Sequence, residues 1–565
     1  MKPTLDPITL EIMFNGLRSV TDETYIALTR SAYSTNIKER RDHSTAICAP
    51  DGRLIVQAEN SLPIHIASMT GLMSCILAKF GSDEIHEGDL FVANDPHVAG
   101  GTHLPDINLA LPIFFEGMLV AFMCNIAHHA DVGGMAPGSM AGGMSEIYQE
   151  GLRIPVVKLF RRGEVQQDLF DLMLLNVRLP EERQGDYYAQ IAACRLGDRR
   201  LVELIGKYSA AAMASAFEEI LNRTERRMRD GVRTIPDGVY QFEDVMDDDG
   251  LGAVDIPIKL HMTIEGDRLH ADFTGTAPQV QGNINVTMNA TQAAVAYSLK
   301  GMLDPDIPNN QGVLDVCETT APVGCLLNCV APAPVAARAN TSQRIVDVVI
   351  GALAAALPQS AVGAANGANT TAVFSGTDPA TGKGYLYLET LGGGFGGRND
   401  RDGTDGIQVH ITNTSNLPIE VIETEYPLRV ESYGLIEDSG GAGRYRGGMG
   451  IRRVIGPVGH ECIFNGAGER FRHQPWGIFG GEPGGSGRFV RVGNDGSEEG
   501  LEIKPAGIVM AEGERIIVET PGAGGYGSAS ERNTDDIAAD RLSGKFSEKY
   551  LRECYGSVDR SNKRP

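Results

Sequence analysis

The run INLALPIFFEGMLVAFMCNIAHHAD, residues 107–131, holds two apolar stretches separated only by Glu116-Gly117. Apolar runs joined by a two-residue turn of this kind read as an antiparallel hairpin. Pairing across the turn makes opposed residue numbers add to about 233, which sets His128 opposite Pro105, between His103 and Asp106. Two polar stretches, NDPHVAGGTHLPD (94–106) and NIAHHADVGG (125–134), therefore meet at the open end of one hairpin. A slip of one or two residues does not part them.

Around this hairpin the patterning alternates between helical and strand-like. Leu10, Met13, Leu17 and Val20 recur at helical spacing over residues 8–32, and Met69, Leu72, Met73, Ile76, Leu77 and Phe80 do so over 66–80. HSTAICAPDGRLIVQA predicts two short strands about Asp51-Gly52, and Asp89–Ala93 predicts another. Residues 165–232 read as helical up to the break at Pro236-Asp237-Gly238, and strand-like segments follow. Helical patches recur at 289–303 and 341–357, with Asn340 or Thr341 placed to cap the second. From about residue 386 glycine-rich turns separate short apolar runs. The expected fold is mixed α/β (α+β) and multi-layered. Its parts are a metal-bearing α/β domain at 1–160, a helical segment at 161–235 and a mixed α/β domain at 236–385. A β- and Gly-rich region at 386–555 and a tail at 556–565 complete it.

Composition narrows the function. The formal net charge of the 565 residues is −23, and such a surface repels phosphate backbones, which argues against nucleic acid as partner. No stretch approaches eighteen uninterrupted apolar residues, so no membrane span is expected. The nine cysteines are scattered without CxxC pairs, which reads as reduced thiols in a cytoplasmic protein. Cys48 and Cys124 each sit in an apolar run, as core thiols do.

Seven of the twelve histidines fall between His43 and His129. Imidazoles and carboxylates together suit a borderline divalent ion such as Zn, Mn or Fe(II). His103 and Asp106 are close in sequence, and the hairpin adds His128. Asp42, His43, Asp95 and Asp131 are the candidates for a fourth ligand; a hydrogen-bonded polar loop without metal is the competing reading. Gly100-Gly101 and Gly133-Gly134 flank these residues, where backbone must approach closely or turn tightly. Arg338 and Arg344, in RANTSQRIVDVVIGAL, are placed to hold an anionic group at a helix start. LGGGFGGR (391–398) lacks a surrounding βαβ unit, and no GxxxxGK[ST] or GxSxG occurs, so neither a nucleotide loop nor a serine nucleophile is indicated.

At this point the chain resembles the hydantoinase B/oxoprolinase family, the β-type subunits of ATP-dependent N-methylhydantoinases and their relatives. The matching blocks run in order along nearly the whole length: IKERRDHSTAI, LPIHIASM, NDPHVAGGTHLPDI, AHHADVGGMAPGS, EGLRIPVVKL, ADFTGTAPQVQGNIN, TSQRIVDVVIGAL, TNTSNLPIEVIETEYPLRV, DSGGAGRYRGGMG and TPGAGGYG. The resemblance implies a hetero-oligomer. A hydantoinase-A-like partner binds ATP and Mg and phosphorylates the carbonyl oxygen of a cyclic amide such as a hydantoin, 5-oxoproline or a lactam. The B-type chain carries one divalent metal and completes ring opening. Carried over to this sequence, the metal ligands fall on Asp42, His103, Asp106 and His128. Many relatives have an aromatic residue where this chain has His43, which makes His43 a possible extra ligand. Asp131 or His129 would then shuttle protons, with His65 and His97 as alternative acid-base groups. Two other readings stay open: a subunit of an ATP-dependent ketone carboxylase, and a non-catalytic scaffold for the ATP-binding subunit.

Overall fold

Asp6 opens the first helix. Its carboxylate accepts from the amides of Ile8 and Thr9 at 3.1 and 3.0 Å, and Pro7 follows in the first turn, where its missing N–H is harmless. The computed structural model to which it belongs describes residues 5–556; apart from Gly556, the tail expected at 556–565 lies outside them. Helix α1 (Pro7–Ser31) buries Leu10, Met13, Leu17 and Val20, the predicted face. Then come α2 (Thr35–Lys38), β1 (His43–Cys48), β2 (Leu54–Gln57), α3 (His65–Lys79), β3 (Leu90–Ala93), β4 (Asp106–Phe115), β5 (Met118–His128), β6 (Val157–Arg161) and β7 (Glu164–Val165). The seven strands form one antiparallel sheet in the order β2-β1-β5-β4-β3-β6-β7.

The β4–β5 hairpin turns at Glu116 and Gly117, with φ of 50° and 75°, as a tight hairpin turn requires. Phe115 faces Met118 and Phe114 faces Leu119, as the turn predicts. Ile113, however, faces Ala121, so Val120 is an extra residue on β5. This bulge shifts all later pairs by one, and His128 faces Asp106 rather than Pro105. The turn residues carry no signal for a bulge three residues away.

Both faces of the hairpin are covered. Ile107, Leu109, Leu111, Ile113, Ala121 and Met123 pack into a core shared with α1. Helices α4 (Gln167–Leu175), α5 (Pro180–Tyr208) and α6 (Ala210–Val232) close that side. The alternate residues Ala110, Phe122, Cys124 and Ile126 meet Met69, Leu72, Met73 and Ile76 of α3. Two-sided burial explains why these strands read as continuous apolar runs.

The chain continues through β8 (Gly238–Asp248), β9 (Val254–Glu265), β10 (Arg268–Asp272), α7 (Met288–Leu303), α8 (Gln311–Leu314) and β11 (Cys317–Thr320). These strands form a second sheet, β11-β10-β9-β8. Helix α7 packs Ala290 and Ala293 against Ala67 of α3. Helix α9 (Arg338–Leu353) begins before the predicted cap. Asn340 and Thr341 therefore lie in its first turn, and the Thr341 hydroxyl donates to the Ile284 carbonyl at 2.6 Å.

Packing divides the chain into two units. The first gathers the residues up to Phe242, Ile258–Val349 and Ile411–Leu417; the second gathers Glu243–Pro257, Ile350–His410 and Pro418 onward. The second unit carries β12 (Thr370–Thr377), β13 (Gly384–Leu391), α10 (Ile419–Glu425), β14 (Leu428–Leu435), β15 (Ile451–Pro457), β16 (Cys462–Ala467), β17 (Arg488–Val492), β18 (Glu498–Gly500), β19 (Ile508–Met510), β20 (Arg515–Glu519), α11 (Thr534–Ser543) and α12 (Glu548–Tyr555). Its sheets run β13-β12-β16-β19 and β14-β15-β20-β17-β18. Its glycine-rich runs pack backbone on backbone: a Cβ on Gly394 would lie 2.1 Å from the Gly448 oxygen, and one on Gly447 would lie 1.9 Å from the Ala523 oxygen. All nine cysteines are free thiols. Among the described residues no helix is long and apolar enough to cross a membrane.

One backbone contact in the first unit ties α3 to the 94–106 loop. A Cβ on Gly71, in mid-helix, would fall 2.2 Å from the Gly100 oxygen. Helix propensity alone favours alanine over glycine by about 1 kcal/mol. Overpacking against a backbone that cannot yield costs about 1–3 kcal/mol and wins. Gly71→Ala is therefore expected to destabilise the protein by up to about 2 kcal/mol net, read as a lower thermal midpoint. An unchanged or raised midpoint would show that the contact relaxes freely.

Candidate metal centre

Strand alternation decides which polar side chains meet. On β4 and β5, Asp106 and His128 share a face with Ala110, Cys124 and Ile126, the face covered by α3. On β1, Ser44 pairs with Ile126 and points the same way, while His43 pairs with Ala127 and points opposite. Asp42 stands just before β1, and its carbonyl accepts from the His128 amide at 3.0 Å. Helix α3 presents His65 from its first residue, and the loop before β4 brings His103. The opposite face receives His43, tilted 33° against Tyr25 with ring centroids 4.1 Å apart and bonded to the Thr29 hydroxyl at 2.8 Å. His43 is therefore not an extra ligand.

On the α3 face the coordinating atoms of His103, Asp106 and His128 lie within 4.8 Å of one another, all buried. His103 Nδ1 is 2.9 Å from the Ala336 carbonyl, which can only accept, so Nδ1 carries the proton of the neutral ring. The lone pair on Nε2 then faces Asp106 Oδ1 at 3.0 Å. Both atoms are buried without a hydrogen-bond partner. Two apposed lone pairs repel unless a proton or a metal cation lies between them. A proton would make His103 an imidazolium, and burial, aided by Arg338, lowers the pKa of that ring. A metal ligand commonly donates its second ring N–H to a carbonyl in this way. The donor set and its orphaned atoms fit a divalent cation.

The surroundings set the charges of the cluster. Burial would raise Asp106, but His103, Arg338 and His65 outweigh it and hold the carboxyl well below the usual range. Burial, together with His103, holds His128 far below an ordinary imidazole. Burial also takes His65 down to about 4 and lifts Asp42 to about 6, the latter against Arg40. His65 Nε2 is 3.8 Å from both Asp42 Oδ1 and Asp106 Oδ1, and its Nδ1 is 2.8 Å from the Ser44 hydroxyl. His65 and Asp42 thus stand beside the tight trio.

Asn36, Arg40 and Arg338 support the cluster, and of these only Arg338 stands out in the sequence. Asn36 Nδ2 lies 3.0 Å from His128 Nδ1 and donates to the His128 carbonyl at 2.6 Å, and Arg40 donates to the Asn36 side-chain oxygen. Arg338 donates to Asp106 Oδ2 at 2.6 Å and through Nε to the Thr102 hydroxyl at 2.8 Å. The guanidinium of Arg338 is thus already engaged by the Asp106 carboxylate. Arg344 is fully buried, nearly two turns further along α9.

A model of the Hydantoinase B/oxoprolinase family matches residues 6–529. The chain belongs to this family. It is 39% identical over 547 residues to an uncharacterized protein of Methanocaldococcus jannaschii, covering 96% of this chain and 94% of that one. It is 32% identical to caprolactamase subunit beta of Pseudomonas jessenii, covering 98% and 96%. The crystal structure of the ATP-dependent caprolactamase from that organism superposes with a TM-score of 0.91 at 30% identity, covering 100% of this chain and 98% of the other. A nucleotide-free acetone carboxylase superposes at 0.90 with 18% identity, over 99% of this chain and 80% of that one, a likeness of fold.

The remaining candidates of this family member lie outside the cluster. His129 follows the alternation to the α5 side, where Nε2 is 2.9 Å from Gln190 Oε1 and the ring stacks on Tyr187. Asp131 is taken up by the Arg178 guanidinium at 2.7 Å and by the amides of Arg178 and Gly133 at 2.9 and 3.1 Å. Asp95 is bonded by Arg153 at 2.5 Å. His97 Nε2 is 2.9 Å from the Ala333 carbonyl. None of these four side chains meets the trio. Alternation along β1 and β5, visible in the sequence, separates Asp42 from His43 and His128 from His129.

Protein purified without chelator and loaded with Zn²⁺ or Mn²⁺ is expected to carry about one ion per chain. His103→Ala should abolish that binding, while His43→Phe should retain it at a stability cost of about 1 kcal/mol for the lost Thr29 bond. Elemental analysis decides; metal kept by the first variant and lost by the second would overturn this assignment.

Proposed function

We propose that this chain is the metal-bearing catalytic subunit of an ATP-dependent cyclic-amide hydrolase. It would complete ring opening of a hydantoin, 5-oxoproline or lactam after a hydantoinase-A-like partner, holding ATP and Mg, has phosphorylated the carbonyl oxygen. The observation that carries this reading is the buried apposition of His103 Nε2 and Asp106 Oδ1, in a chain similar along its length to caprolactamase subunit beta. The closed trio of His103, Asp106 and His128 favours a catalytic role over a scaffold.

His103, Asp106 and His128 would hold the cation, with Asp42 completing the set. A divalent ion bound there supplies a Lewis acid and acidifies water near neutral pH. Arg40 and Arg338 already balance the charges of Asp42 and Asp106. A bound dication therefore leaves the pocket with excess positive charge, which suits a phosphorylated substrate better than a neutral amide. His65, neutral and pinned through Nδ1 to Ser44, is placed beside both carboxylates to accept the proton released when water adds to the activated carbon. Collapse of the adduct would break the ring C–N bond and leave an acyl phosphate, which a second water hydrolyses to the acid and phosphate. The overall balance is cyclic amide, two waters and ATP to open-chain acid, ADP and phosphate.

This chain has no recognisable means of activating an amide, whose resonance appears in the peptide bond as a barrier of roughly 18–20 kcal/mol. Alone, even metal-loaded, it is expected not to open these rings. With the partner, Mg²⁺ and ATP, turnover should appear on a panel of hydantoins, 5-oxoproline and lactams, with ADP formed in step. In that complex His128→Ala should stop ring opening and leave ATP hydrolysis by the partner. Turnover by the isolated chain without ATP would refute the division of labour; bicarbonate-dependent consumption of a ketone would point to the carboxylase reading.

A further inference from the structure

The stretch Pro332–Ala337 crosses behind the metal centre, and polar groups from separate parts of the first unit hold it. The Pro332 carbonyl accepts from the Ile147 amide at 2.9 Å and the Ala333 carbonyl meets His97 Nε2 at 2.9 Å. The Pro334 carbonyl accepts from Asn285 Nδ2 at 3.0 Å, and the Ala337 amide donates to the Asn283 carbonyl at 2.9 Å. In the middle stands Glu150, whose Oε1 accepts from the amides of Val335 and Ala336, both at 2.7 Å. The side chain is fully buried.

This strap then delivers two contacts to the ligands. Its Ala336 carbonyl accepts from the Nδ1–H of His103, and the next residue but one, Arg338, clamps Asp106. The tautomer of His103, and so the direction of its Nε2 lone pair, depends on where that carbonyl stands. We propose that Glu150 is a positioning residue for the metal centre: it fixes the strap that fixes His103, and so raises the affinity for the cation without touching it. His97 serves the same strap. This rests on the metal reading of the centre above.

The chemistry demands an acceptor at Glu150 rather than a charge, because both partners are amide donors. Glutamine keeps a carbonyl oxygen there, whereas alanine leaves two buried amides unsatisfied. The test is Zn²⁺ affinity, measured by competition with a chromophoric chelator, on the full chain and its variants. Supporting ligands of this kind change metal affinity by roughly 10–100-fold. Glu150→Ala is expected to fall in that range, and Glu150→Gln to stay within about threefold of the parent, the rescue that separates acceptor from charge. Should Glu150→Ala not fold, Glu150→Asp, which withdraws the acceptor by one methylene, is expected to weaken Zn²⁺ by about tenfold. Parent-like affinity in the alanine or aspartate variant, with only a lower thermal midpoint, would reduce Glu150 to a brace of the fold and overturn the proposal. A parent chain that binds no Zn²⁺ would overturn the metal reading itself, a distinguishable result.

Discussion

The site depends on the register of β4 against β5. Because side chains alternate across a strand, a hairpin one residue out of step would send Asp106 or His128 to the wrong face. The bulge at Val120 keeps the pair opposed. Everything else at the centre is referred to that pair: α3 lays His65 over it, the 94–106 loop adds His103, and Asp42 enters through its bond to the His128 amide. Apolar burial on both faces of the hairpin makes the register costly to change, so a polar cluster that would repel itself can be held closed.

Holding such a cluster closed takes counter-charges and directed hydrogen bonds. Arg338 and Arg40 offset the two carboxylates, and Asn36 and Ala336 govern the rings of His128 and His103. These contacts bring together residues that are distant in the chain. The cluster is therefore a product of tertiary packing, although its histidines and aspartates all come from the first quarter of the sequence.

That division explains what could be read beforehand. The helices near 8–32 and 66–80, the turn at Glu116-Gly117 and the meeting of His103, Asp106 and His128 follow from periodicity and local turn chemistry. The one-residue shift did not, since a bulge answers to strands packing on either side. Nor did the role of Arg338. A helix start next to an arginine suggests an anion site, and only the fold reveals that the anion is Asp106. Glu150 and Asn36 carried no local signal, because an acid bonded to amides nearly two hundred residues away has no spacing to betray it. His129 and Asp131 looked functional by adjacency, yet one faces the other side of the sheet and the other is held by Arg178.

The extra residue at Val120 carries a lesson about how chains of this architecture can vary in length. Between the bulge and the open end, adding or deleting one residue would exchange the two faces of a strand and scatter the cluster. Next to the turn, where the pairing has already been interrupted once, a paired gain or loss on both strands would merely lengthen or shorten the ribbon. The bulge thus divides the hairpin into a distal part free to drift in size and a proximal part whose length is locked by the side chains it must bring together.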